Sequence, residues 1–109
     1  AEVLWTDTYG NLQLNVDPAE IEAFGERIGL RFGTRTRTGI RHRTYAEVPT
    51  GEVGLVVDSY GLVSIAVDRA SAADELTLGT GDEVILTPLA DDDAPRGTST
   101  PVTLREKQP

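Results

Sequence analysis

The sequence predicts a mainly β fold: a compact, mostly antiparallel β-barrel with one or two short helices. Three observations predict it. Apolar and polar residues alternate over short runs, as in "NLQLNV", where Leu12, Leu14 and Val16 share one face and Asn11, Gln13 and Asn15 the other. Eleven glycines and six prolines in 109 residues break the chain into many short pieces. Only two of those pieces carry helix signals. A chain of this length makes one domain, able to bury somewhat over ~60% of its unfolded surface without staples.

Taken in order, "EVLWTDT" (Glu2 to Thr8) is the first strand and leads into Tyr9-Gly10; "NLQLNV" is the second. Asp17 then opens a short helix as its N-cap, with Pro18 in the first helical position. Ile21, Phe24 and Ile28 recur on one face of that helix, and Gly29 is placed to end it. The alternating stretch "LRFGTRTRTGIRHRTYAEV" is expected to fold back at Thr38-Gly39, with Arg35 and Arg37 on one arm and Arg41 and Arg43 on the other. Two apolar strands follow, Val53 to Val57 and Leu62 to Val67, hinged at Asp58-Ser59-Tyr60-Gly61. "SAADEL" supplies a helical turn, Gly79, Gly81 and Asp82 a loop, and Glu83 to Leu89 the next strand. Residues 1–89 are thus the expected domain, and 90–109 a polar loop, a possible edge strand at "PVTL" and a tail. No internal repeat stands out.

Composition removes several classes of chemistry. With no cysteine there is no disulfide, thiolate metal site or thiol nucleophile, and the single His42 rules out a multi-histidine metal site. No apolar run approaches the ~18 residues of a membrane span, and no signal-peptide pattern opens the chain, so a soluble, cytoplasmic domain is expected. Ser59, Asp58 and His42 are the letters of a nucleophilic triad, but nothing flanks Ser59 as a nucleophile elbow would, and Asp58-Ser59-Tyr60-Gly61 reads as a turn. Asp91-Asp92-Asp93 offers no spaced ligand set for a hard cation, and "LGTGDE" precedes a strand rather than a phosphate-binding helix.

The net charge of −8 is unevenly spread: six of the ten Lys and Arg residues, Arg27, Arg31, Arg35, Arg37, Arg41 and Arg43, lie between Glu26 and Glu47 with no acid among them. That ribbon reads as a solvated or inter-subunit hairpin, Arg meeting acids of another domain. The alternative is a small non-catalytic β-barrel binding nucleic acid through the Arg35–Arg43 hairpin.

A different segment carries more specific binding chemistry. Tyr9 and Asn11 are two residues apart, so on an extended backbone both face one way. An Asn side chain sets an acceptor beside a donor, matching an adenine edge, and an aromatic ring stacks on a purine at about 1–3 kcal/mol per base. A plain hairpin corner is the commoner reading of Tyr9-Gly10-Asn11, and both readings stay open on these residues alone.

Three blocks together are more specific. "TDTYGNLQLNV", then "RTYAEVPTGEVGLVVDSYGLVSIAVDRASAADEL", then "LGTGDEVIL" resemble the C-terminal domain of the S-adenosylmethionine (SAM) hydroxide adenosyltransferases, the SAM hydrolases related to bacterial fluorinase and chlorinase. The blocks at Asp7 to Leu12, Tyr45 to Gly51 and Asp58 to Asp68 occur in family order, and the likeness runs from about Trp5 to Leu89. The resemblance implies a two-domain enzyme, an α/β N-terminal domain joined to this β-barrel, acting as a homotrimer with sites between one subunit's N-terminal domain and a neighbour's C-terminal domain. In such enzymes water, or halide in the halogenases, displaces methionine from ribose C5′; hydrolysis gives adenosine and L-methionine, with no cofactor and no metal. The catalytic residues belong to the N-terminal domain, so this chain carries none and is expected to be inactive alone. The resemblance assigns Asn11 to an adenine hydrogen bond, Tyr9 and Tyr45 to packing around the nucleoside, and the backbone at Arg69 to the adenine edge. Ser59 and the Tyr60 backbone fall to the methionine carboxylate. Two positions depart from the pattern: Asp68-Arg69 stands where hydrolase-like members have Asn-Gly, and Tyr60 where halogenases carry Arg, which favours water over halide.

Overall fold

The computed structural model describes residues 1–89. Seven strands form one mixed sheet: β1 (Val3–Thr6), β2 (Leu12–Leu14), β3 (Arg27–Phe32), β4 (Arg35–Arg41), β5 (Val53–Val57), β6 (Val63–Val67) and β7 (Ile85–Pro88). Their order across the sheet is β1-β2-β6-β5-β4-β3-β7. Every neighbouring pair is antiparallel except β4 and β5, which run parallel. The sheet curls until its edges approach: Val3 N–H donates to Asp82 O at 2.9 Å, Gly81 N–H to Val3 O at 2.8 Å, and Val84 N–H to Ala1 O at 2.9 Å. The result is the small, mainly β barrel-like sheet expected, with one 3₁₀ turn at Pro18–Phe24, a second at Tyr45–Glu47, and one helix, α1 (Ala72–Leu76). Among the described residues no helix is long and apolar enough to cross a membrane. The "PVTL" strand and Asp91-Asp92-Asp93 lie outside the described residues.

The inner face of the curl is the core. Val3, Leu12, Leu14, Ile28, Leu30, Leu55, Ile65, Leu76 and Val84 are essentially shielded from water. Alternation places them there: β3 buries Ile28, Leu30 and Phe32, with Arg27 and Arg31 left exposed. Full burial of such a side chain is worth about 1.5–3 kcal/mol. α1 closes one end with Ala72 and Leu76 buried, its Ser71 side chain accepting from Asp74 N–H as N-cap.

Two local expectations are corrected. The helix opened by Asp17 does begin as expected, with a reciprocal capping box to Glu20, but it is a 3₁₀ turn and ends at Phe24. Gly25, at φ 82°, leaves the helical region, and Ile28 and Gly29 belong to β3. The alternating burial of 27–32 is satisfied by the sheet and would be lost on a helix.

The turn in the Arg-rich stretch is at Gly33-Thr34, not Thr38-Gly39. Gly33 has φ 62°, and Phe32 pairs with Arg35 across a two-residue loop of the kind that requires positive φ. Gly39 lies inside β4, opposite Ile28 and Val53, where a Cβ would press on the Leu55 and Leu30 side chains. Arg35, Arg37 and Arg41 therefore share one strand, and the expected Arg35–Arg43 hairpin does not form. Arg35 lies over Phe32, 5.4 Å from the ring centroid, and its Nη1 donates to Leu76 O at 3.2 Å.

Ile65 sits in the middle of β6, paired with Leu12 on one side and Leu55 on the other. Ile65→Ala is expected to cost about 2–5 kcal/mol in urea unfolding, against about 0.5 kcal/mol or less for Val57→Ala at the exposed end of β5.

Candidate functional site

Two turns of the same design stand side by side. The β1–β2 connection is Asp7-Thr8-Tyr9-Gly10-Asn11 and the β5–β6 connection Asp58-Ser59-Tyr60-Gly61-Leu62. In the first, Asp7 Oδ1 accepts from the N–H of Tyr9 and of Asn11, both at 2.9 Å. In the second, Asp58 Oδ1 accepts from Tyr60 N–H at 2.9 Å and Leu62 N–H at 3.1 Å. The main-chain bonds match as well: Gly10 N–H to Asp7 O and Asp7 N–H to Asn11 O, Gly61 N–H to Asp58 O and Asp58 N–H to Leu62 O. Gly10 (φ 86°) and Gly61 (φ 82°) supply the left-handed residue that each turn requires. So the sequence does contain a repeat, Asp-x-Tyr-Gly, too short to register as one. Pairing of β2 with β6 (Leu12 to Ile65, Gln13 to Ser64) brings the two copies together.

Between and below them, on the outer face of the sheet, lies a cavity of about 880 Å³. Every residue assigned by resemblance lines it: Tyr9, Asn11, Tyr45, Ser59, Tyr60 and Arg69. Tyr9 and Tyr60 stand at the rim, 80% and 72% exposed. Tyr45 reaches the cavity from its own 3₁₀ turn, and that turn is held by Val48, whose side chain occupies the space a Cβ would take on Gly54 of β5. Gly10 has a second constraint besides its φ: a Cβ there would overlap Ser71, and Gly10 O accepts from Ala73 N–H at 2.9 Å, docking the turn on the start of α1.

Further polar and aromatic side chains that the sequence did not assign to the site also line it: Trp5, Asp7, Gln13, Asp58, Ser64 and Asp68. Trp5 would share a face with buried Val3, but the register shifts between them, and this bulge turns the indole outward opposite Gln13. A bulge has no signature in "VLWT". Gln13 and Ser64 were legible as the polar face of alternating strands. All three tyrosines and the single tryptophan of the chain thus converge on one surface, while Phe24 and Phe32 pack with the core.

Asp58 is the most heavily bonded side chain here. Besides the two backbone N–H groups, its Oδ2 accepts from Gln13 Nε2 at 2.9 Å and Ser64 Oγ at 3.0 Å. Partial burial pushes its carboxyl upward, but the bonds from Gln13, Leu62, Ser64 and Tyr60 outweigh it and hold the group below the ordinary carboxylate value. With four donors on about four acceptor positions, Asp58 organises the floor of the cavity and has no capacity left for use as a base. Burial pushes the Tyr45 phenol up; a hydrogen bond with Ser64 opposes that, and the carboxylates of Asp58 and Asp7 reinforce it. Tyr45 is therefore a neutral hydroxyl.

Arg69 follows β6 in the left-handed region, at φ 55°. That conformation is ordinary for glycine and costs about 1–2 kcal/mol for other residues, which explains how a Gly-bearing pattern fits this corner and fixes the path of the backbone along the wall. The neighbouring Asp68 accepts from Thr50 Oγ1 at 2.7 Å. The triad letters are not brought together: His42 does not line the cavity, and its Nε2 lies 3.5 Å from Glu52 Oε1. Arg31 and Arg35 line a separate depression beside α1.

With this geometry in place, comparison with known proteins is direct. Residues 1–85 match the model of the SAM hydroxide adenosyltransferase C-terminal domain. The chain belongs to this family. It is 36% identical over 87 residues to an (R)-S-adenosyl-L-methionine hydrolase of Salinispora arenicola (strain CNS-205) and 33% identical over 87 residues to one of Salinispora tropica (strain ATCC BAA-916). In each case the match covers 80% of this chain and 32% of the relative, so the chain spans about a third of the length of these hydrolases. Among solved structures, an uncharacterized conserved protein from Thermotoga maritima superposes with a TM-score of 0.73 at 29% identity, covering 79% of this chain and 34% of that one. A conserved hypothetical protein from Thermus thermophilus gives a TM-score of 0.55 at 31% identity, covering 78% and 33%.

Because the folded-state pKa of Asp58 is depressed, its stabilisation is complete above the unfolded-state value, near 3.8, and is lost as pH falls through the lower folded value. Asp58→Asn should therefore destabilise the protein by roughly 1 kcal/mol at pH 7. In urea titrations the difference from the parent should shrink steadily as pH is lowered through 3.8 and on through the depressed folded-state value.

Proposed function

We propose that the chain is the substrate-binding C-terminal domain of a SAM hydrolase, which splits S-adenosyl-L-methionine with water into adenosine and L-methionine. The observation that carries this reading is the convergence, on one cavity of a family member, of six residues from four separate segments. Asn11 reads the adenine edge, Tyr9 and Tyr45 pack on the nucleoside, and the Arg69 backbone runs along the base. Ser59 Oγ donates to the methionine carboxylate, and the Tyr60 N–H, which Asp58 Oδ1 engages at 2.9 Å, would be shared with it.

The electrostatics of the cavity support a cationic ligand. Three carboxylates, Asp7, Asp58 and Asp68, line it against one guanidinium, Arg69, and the rest of the wall includes four aromatic side chains. Rings and carboxylates hold a sulfonium well, whereas the phosphates of an oligonucleotide would be repelled.

In the reaction the water oxygen forms a bond to ribose C5′ as the C5′–S bond breaks. Its electron pair returns to sulfur, and a proton leaves the water. The positive charge on sulfur is discharged on the way, so groups that attract it stabilise the bound substrate more than the transition state. A wall of this kind is suited to holding SAM, and water activation falls to an N-terminal α/β domain. That domain, from a neighbouring subunit of a cytoplasmic homotrimer, supplies the opposite wall in this reading.

Asn11→Ala is expected to weaken binding of SAM and adenosine to the native protein by about 10- to 100-fold, with little dependence on salt. Calorimetric titration at two salt concentrations checks this. Tight oligonucleotide binding that falls steeply with salt, with no nucleoside affinity, would favour the nucleic-acid reading instead. Incubation with SAM in the presence and absence of chloride, with chromatography of the nucleoside product, separates adenosine from a 5′-halogenated nucleoside.

A further inference from the structure

We infer that Asp7 is a specificity-determining residue: by fixing which way round the Asn11 amide lies, it makes the site select a 6-aminopurine over a 6-oxopurine. This rests on Asn11 reading the base, as proposed above, and adds a residue that acts on the base through the Asn11 amide.

An asparagine alone is a poor discriminator. Its amide has an acceptor on one side and a donor on the other, and a rotation of 180° exchanges them. In one orientation it meets adenine, whose amino group donates beside a ring nitrogen that accepts. In the other it meets the Watson–Crick edge of hypoxanthine, whose 6-oxo group accepts beside an N1–H that donates. A freely rotating amide would bind both.

The Asn11 amide is not free. Its Nδ2 donates to Asp7 Oδ2 at 3.0 Å. The other oxygen, Asp7 Oδ1, is committed to the turn, accepting from Tyr9 N–H and Asn11 N–H at 2.9 Å each. The carboxylate is therefore held by the backbone, and an ionised carboxylate can only accept. Rotating the amide would set its oxygen against Asp7 Oδ2, replacing a charge-assisted hydrogen bond with a repulsive contact. The amide keeps its nitrogen toward Asp7, leaving Oδ1 and the second N–H of Nδ2 for the ligand. That pattern is complementary to a 6-aminopurine and leaves a 6-oxopurine with acceptor facing acceptor. The equivalent position in the second turn is Leu62, so the lock is peculiar to the first.

The test compares adenosine and inosine on the native protein by calorimetry, in the parent and two variants. The parent should favour adenosine by about 10- to 100-fold. Asp7→Asn keeps an oxygen for the two turn N–H groups but turns an amino group toward Asn11. The Asn11 amide should rotate to offer its oxygen, and the preference should invert toward inosine. Asp7→Ser retains an acceptor for the turn but leaves the amide unanchored, so the preference should fall to within about threefold of unity. Circular dichroism identifies which variants fold, and either one that folds decides the matter. A folded variant that keeps the parent's adenosine preference overturns the lock alone. A parent that binds neither nucleoside, or whose adenosine binding Asn11→Ala leaves unchanged, overturns the base-reading assignment and the lock with it.

Discussion

The short pairing of β2 with β6 is the constraint on which the site depends. It joins a strand near the start of the chain to one about fifty residues later through two register pairs, Leu12 with Ile65 and Gln13 with Ser64. Hydrogen bonds of about 0.5–1.5 kcal/mol each do not anchor a three-residue strand against the entropy of ordering it. Burial of Leu12 and Leu14, both fully shielded, contributes several times more and fixes the register, because a slip of one residue would turn both leucines out to water. Once the register is set, Gln13 and Ser64 are forced to the outer face side by side, and the two tyrosine-bearing turns are carried to adjacent positions at its edge.

The same carboxylate device then works twice. Asp7 and Asp58 each gather two backbone N–H groups on one oxygen, which holds the turn, and extend the other oxygen into the site. On Asp58 that second oxygen binds Gln13 and Ser64, tying three strands to one point; on Asp7 it binds the Asn11 amide. The same side chains that hold the turns thus line the cavity. The cost is a cavity with a negative lining, tolerable for a cationic ligand and unsuited to a polyanion.

The Arg-rich segment is a separate matter. Its basic residues alternate along β3 and β4, and those at the turn border their own depression beside α1, away from the tyrosines. Among the described residues none of these guanidinium groups lies within ion-pair distance of a carboxylate; the one base–acid contact is His42 Nε2 to Glu52 Oε1 at 3.5 Å.

By itself the sequence determined the class of fold, most strand positions, the hinge at Asp58-Ser59-Tyr60-Gly61, the capped turn at Asp17 and the six residues now found around one cavity. These are local or motif-borne properties: alternation, turn chemistry, and ordered blocks that resemble a family. Three features only the tertiary structure decided. Gly29 and Gly39 looked like terminators, and the sheet absorbed both, because burying Ile28, Leu30 and Leu55 outweighs the modest penalty of glycine in a strand. Trp5 joined the site through a bulge, a shift of pairing that neither strand announces alone. Asp58 looked like an ordinary turn residue, and became an anchor of the site when β2 met β6 and set Gln13 beside its second oxygen; Asp7, read as the end of the first strand, spends its second oxygen on Asn11 within its own turn. Tyr9-Gly10-Asn11 read as either a corner or a site, and the physical reason it can serve as both is that its aspartate has two oxygens.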